Sequence, residues 1–231
     1  MFFRKIIFFL IAILFLPPCW VITKILMKEV YLKASGLPFD FSPLGRDFEN
    51  TLLFSGALLF FLSYRFFKFE FLYIFLHEFT HLVFGILFFK KIIRFKVSKL
   101  KGEVVLSGTN PVILLAPYFF PLSTFILLLA GFLVWNFFKY IFIWYFTITL
   151  VGFSLMLHIV MTLKSLMVRQ TDIKTNGYFF SLVIIYFLSV SLITGIIILL
   201  LKGHLETISF FRFLFVEIKN NFFIIQNILF N

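Results

Sequence analysis

Apolar residues fill this chain in long blocks broken by short polar stretches, and the lengths of the blocks predict its elements. Residues 1 to about 26, 51 to about 64, 69 to 89, 111 to about 135, 140 to about 163 and 178 to 201 are apolar runs. A helix needs about 20 such residues to cross the hydrocarbon of a bilayer. The third run reaches that length, whereas Thr51 to Tyr64 is short and needs little tilt or a locally thinned bilayer. The first run follows Arg4 and Lys5 and has no small-residue cleavage site; the prolines in Leu16-Pro-Pro-Cys19 make a poor lipoprotein box. It reads as a retained helix kinked at Pro17-Pro18. Residues 27 to 50, with Lys28, Glu29, Lys33, Gly36, Pro38, Asp40, Pro43, Arg46, Asp47 and Glu49, form the longest polar connection and read as a solvated interfacial loop.

One stretch changes period. Ile93, Phe95 and Val97 alternate with Arg94, Lys96 and Ser98, and Lys101-Gly102 marks a turn before Glu103-Val-Val-Leu106. Period two with a turn predicts an amphipathic β-hairpin. The fourth run is interrupted by Pro117 and Pro121, which predicts a broken helix whose freed carbonyls need partners from protein or water. The tail from Lys202 carries Arg212, Glu217, Lys219, Asn220 and Asn221, too polar for a seventh span, and reads as an interfacial helix. The expected fold is an all-α polytopic membrane protein of about six transmembrane helices, with a small amphipathic β-hairpin after the third. Its expected division is 1–68, N-terminal membrane helices and interfacial loop; 69–201, a membrane-embedded core; and 202–231, an interfacial tail.

Composition agrees with the pattern. With 62% hydrophobic and 13% charged residues the chain lies far from soluble domains. Its formal net charge of +11 raises nucleic acid as a partner, but the basic residues stand at the ends of apolar runs. There they set topology and meet anionic head groups, so the expected partner is the lipid bilayer and not nucleic acid. Lys plus Arg divide 13 to 8 between the two sides when the N-terminus is outside, which puts the basic hairpin in the cytoplasm, although Arg4 and Lys5 argue the other way. The single cysteine, Cys19, allows neither an internal disulfide nor a cysteine metal cluster. Any metal must be held by nitrogen and oxygen.

The chemistry concentrates in Phe75-Leu-His-Glu-Phe-Thr-His-Leu82. His77 and His81 are four apart, one turn on one helical face, where they can bind a single Zn²⁺ with Glu78 beside them to polarise a water. The chain has four histidines and seven glutamates, and two of the former with one of the latter fall into this HExxH pattern inside an apolar run. Ionisable groups are costly there, so function is the default reading. A hydrolytic zinc site takes three protein ligands and leaves the fourth position to water, so one ligand is missing. Between Val104 and Leu205 the one acidic residue is Asp172, the leading candidate by elimination and position. The alternative for Asp172 is a loop aspartate paired with Arg169 or Lys174. His158 is the rival ligand, set against a histidine hydrogen-bonded inside a bundle. His204 and Glu206, beyond the sixth run, suit a water-facing boundary, although a different zinc peptidase would draw its third ligand from Glu206 or His158.

The motif in a membrane helix, the hairpin after it, the proline-broken segment and the later aspartate resemble the site-2 protease family of intramembrane zinc metalloproteases, over residues 70 to 180. The resemblance implies Zn²⁺ held by His77, His81 and Asp172, with Glu78 as the base that activates a zinc-bound water. It also implies a site towards the cytoplasmic side of the cell membrane and substrates that are membrane-spanning or membrane-associated proteins or peptides. Where the family commonly has Asp-Gly, this chain has Thr171-Asp-Ile-Lys-Thr-Asn-Gly177. The broken segment is the expected water route or gate, Asn110 an expected substrate contact, and the hairpin either an edge that pairs with an unwound substrate or a basic interfacial element that anchors the helix. The second reading is a catalytically inactive relative that binds transmembrane segments without cutting them. The intact Glu78 argues against it, since a scaffold has no need of that carboxylate. A transporter is the least expected, because outside the motif helix only His158 lies deep in an apolar run.

Overall fold

The computed structural model describes residues 2–34, 46–99, 101–168 and 170–230. Helix α1 spans Phe2–Ala34, α2 Arg46–Tyr64 and α3 Glu70–Leu87. Strands β1 (Ile92–Val97) and β2 (Gly102–Leu106) follow, then α4 (Pro111–Phe119), α5 (Leu122–Phe138), α6 (Ile141–Leu166), α7 (Thr171–Asn176), α8 (Tyr178–Lys202) and α9 (His204–Phe230).

Helix α1 runs through Pro17-Pro18 and on to Ala34, into the stretch expected to be loop, and α2 begins already at Arg46. The reason is local: no helix breaker stands between Leu26 and Ala34, and the first are Gly36 and Pro38. Residues 35–45, with Gly36, Pro38, Asp40 and Pro43, lie outside the described residues, as does Arg169. Among the described residues, four helices are long and apolar enough to cross a membrane: Arg4–Met27 within α1, then α3, α6 and α8. They become five when α4 and α5, bent by 68° at Phe120-Pro121, count as one broken span. Helix α2, with its apolar part at Phe48–Tyr64, is shorter than a span, which is where this count departs from six. The tail is helical, as expected, and is not among the candidate spans.

The chain divides into two compact units. In the unit Phe39–Gln170, α2 lies along α6 at backbone contact. A Cβ on Gly56 would run into the carbonyl of Thr149, and one on Gly152 into that of Leu53. Two glycines facing opposite helices let the main chains meet without side chains between them, the device by which small residues join helices in lipid. Phe60, Leu157 and Met161 then form a buried cluster, with Tyr64, Phe69, Tyr73 and Leu76 packed on it. That cluster seats α3 against α2 and α6. Strands β1 and β2 pair antiparallel with a register shift at Ile93. Between the strands the Ser98 N–H donates to the Lys101 carbonyl at 2.8 Å. Gly102, expected in the turn, is the first residue of β2, opposite Val97.

In the unit of Met1–Pro38 and Thr171–Asn231, α1 packs on α8 through stacked Phe8 and Phe180, 4.4 Å between centroids, and a 2.7 Å hydrogen bond between the Thr23 and Tyr186 hydroxyls. Short α7 is held to α8 by the Ser181 hydroxyl, which donates to the Ile173 carbonyl at 3.1 Å, and to α1 by Arg4, which donates to the Thr175 carbonyl.

The glycine contact yields a stability prediction. Gly56→Val and Gly152→Val should each destabilise the protein by about 2–3 kcal/mol through overpacking, read as a lower melting temperature in detergent. An unchanged melt in either variant would refute the backbone contact.

Candidate metal centre

Helix α3 carries its chemistry in its middle third, with apolar turns on either side. His77, Thr80, His81 and Phe84 fall at i, i+3, i+4 and i+7, one face of the helix. That face meets α4 and the start of α5: Phe84 packs edge-on against Phe119 and Phe120, and His77 lies edge-on to the fully buried Tyr118 at 5.1 Å between ring centroids. The rings of His77 and His81 are 5.0 Å apart, and His81 is buried.

The orientation of His81 follows from a proline. In a helix the carbonyl of residue i accepts from the N–H of residue i+4. For Ile113 that position is Pro117, which has no N–H. The freed Ile113 carbonyl lies 2.8 Å from Nδ1 of His81. A carbonyl only accepts, so Nδ1 donates, and in the neutral ring Nε2 is left with a lone pair. Metal-binding histidines are held in this way, with the outer nitrogen donating to a backbone carbonyl, carboxylate or water.

Asp172 is half-buried in the first turn of α7, so the segment expected to be loop is a short helix. Asp172 belongs to the other compact unit, so the part of the expected ligand set that lies together on α3 is His77 and His81. Two imidazoles one helical turn apart suit a metal such as zinc.

His158 lies on α6 and Glu206 on α9. His158 hydrogen-bonds the main chain of Tyr118, again within the broken segment, and its Nε2 is buried with no protein partner among the described residues. Beside it is a cavity of about 20 Å³, lined by Tyr73, His77, Thr80, Pro117, Ser123 and His158 among others. That is room for about one water, amid several polar groups. Asn110 has structural work: its side-chain oxygen accepts from the Ile113 N–H at 2.8 Å and caps α4, with Pro111 at the first helical position. Asn before Pro at the head of an apolar run is a helix-start signature that sequence alone could have supplied. Glu206 is exposed in the first turn of α9.

Pro117→Ala should therefore weaken zinc binding without touching the metal, because the new N–H competes for the Ile113 carbonyl. A loss of about tenfold in zinc affinity is expected, as for other outer partners of metal ligands, against complete loss in His81→Ala and none in His158→Ala. Chelator competition measures all three, and equal affinity in Pro117→Ala and wild type would refute the role of the freed carbonyl.

No family model, curated protein or solved structure matches the chain, so any functional reading stands on this geometry.

Proposed function

We propose that the protein is a zinc-dependent intramembrane endopeptidase, similar in its chemistry to the site-2 proteases, acting on membrane-spanning or membrane-associated substrates. One observation carries the reading. Two histidines one turn apart stand with a glutamate, Glu78, on an apolar helix of spanning length. The further terms, the cell membrane and a site towards its cytoplasmic side, belong to this proposal and draw on the distribution of basic residues.

Zinc, when bound, supplies Lewis-acid polarisation of the scissile carbonyl and makes water a better nucleophile. The chain's own residues do the rest. His77 and His81 would hold the ion, with Asp172 as the third ligand that the resemblance implies, and His81 is aimed by the Ile113 carbonyl. Glu78 takes a proton from the attacking water and passes it to the departing amine, so its carboxylate ends the cycle as it began. The polar cavity by His77 and His158 offers water a place within an apolar bundle. A peptide bond in a helix must unwind before attack, and the exposed β1 strand offers main-chain hydrogen bonds to an extended segment.

Glu78→Gln decides between this proposal and a protein that binds transmembrane segments without cutting them. The variant should keep about one zinc per chain and lose cleavage of single-span reporters in proteoliposomes by about a thousandfold. Cleavage surviving in Glu78→Gln would sink the assigned role. Zinc-loaded wild type that holds reporter segments and cuts none would favour the binding protein.

A further inference from the structure

Glu78, next to His77 on α3, meets the hairpin. A Cβ placed on Gly102, at the start of β2, would lie 2.8 Å from both Cδ and Oε1 of Glu78, and nearer still to its Cγ. Non-bonded carbons rest at about 3.5–4.0 Å, so the bare main chain of β2 lies against the glutamate side chain. A side chain at residue 102 would require the Glu78 side chain to shift.

A second contact fixes the register. A Cβ on Gly85 would meet Cδ1 of Leu106 at 2.8 Å, so Leu106 covers Gly85. Glu78 and Gly85 are seven apart and share a helical face, about 10 Å apart along the axis. Gly102 and Leu106 are four strand residues apart, about 13 Å. Thus β2 runs alongside α3 in the same direction, its first residue on Glu78 and its last on Gly85. The head of the strand is pinned by the Val97–Gly102 pair and by the Ser98 hydroxyl and N–H, which both donate to the Lys101 carbonyl at 2.8 Å.

We infer that Gly102 is a positioning residue: the main chain of β2 packs on the side chain of Glu78 and confines its carboxylate to one rotamer beside the metal-binding histidines. A free glutamate samples many rotamers, and a base acts only within hydrogen-bond reach of the proton it takes. The hairpin therefore sets the aim of Glu78. The confinement stands on packing alone, and its effect on cleavage rests on the peptidase reading above.

A double-mutant cycle in melting temperature tests it. Gly102→Ala should lower the melting temperature of the wild type by about 4 °C or more, and of Glu78→Ala, where Cγ is gone, by less than about 1 °C. Gly108→Ala is the control, since its methyl meets only the flexible Lys90 side chain at 3.8–3.9 Å, and it should change neither melting nor cleavage. If Gly102→Ala alone does not fold, recovery of folded protein in the double variant reads the same coupling. In cleavage assays Gly102→Ala should keep its zinc and lose about tenfold or more in kcat with little change in KM. Equal destabilisation in both backgrounds would overturn the contact, and full coupling with unchanged kcat would overturn the positioning role. Full coupling in a wild type that binds zinc and cuts nothing would sink the peptidase reading and leave the confinement of Glu78 standing.

Discussion

The hydrogen bond from His81 to the Ile113 carbonyl is the contact on which the His77–His81 face of α3 depends. It exists because α4 lacks one internal bond, and it lacks that bond because residue 117 is proline. In hydrocarbon an orphaned carbonyl costs several kcal/mol, so the break cannot be left bare. The histidine satisfies the carbonyl, and the carbonyl sets the tautomer of the histidine. The same segment engages His158 through Tyr118. A defect in one helix thus supplies acceptors to ionisable groups on two others.

Precision of this kind needs a stiff surround, and α2 and α6 provide it. Their glycine-mediated approach and the Phe60 cluster fix the wall on which α3 rests. On its opposite flank β2 leaves no space along the Glu78–Gly85 face. Large apolar side chains such as Phe54, Leu58, Phe132 and Phe146 point outward from α2, α5 and α6, as lipid-facing helices require. The hydrophobic effect does little to join such helices within a bilayer, so close packing and polar contacts must.

Much of this could be read from the chain because it is written in period and composition. Apolar blocks predict the long helices, alternation from Ile93 to Ser98 predicts the hairpin, and two prolines predict the break. Two histidines at helical spacing predict a shared face. What escaped was set by neighbours or by brevity. Helix α7 has six residues, too few for any periodicity, so Asp172 was expected in a loop. The end of α1 depends on the absence of a breaker, which is weaker than a signal. The capping role of Asn110 escapes a reading by period, although the proline after it marks a cap. The meeting of Gly102 with Glu78 joins residues 24 apart in sequence across two kinds of secondary structure. No local rule encodes such an encounter.

The polar cavity by His77 has a kinetic consequence. At about 20 Å³ it has room for about one water, while each hydrolysis consumes one. Under the proposed reading every catalytic cycle empties that space, and refilling must follow before the next. Solvent permeation then becomes a step of turnover in its own right, governed by the thermodynamic activity of water outside and by how readily the bent α4–α5 segment breathes.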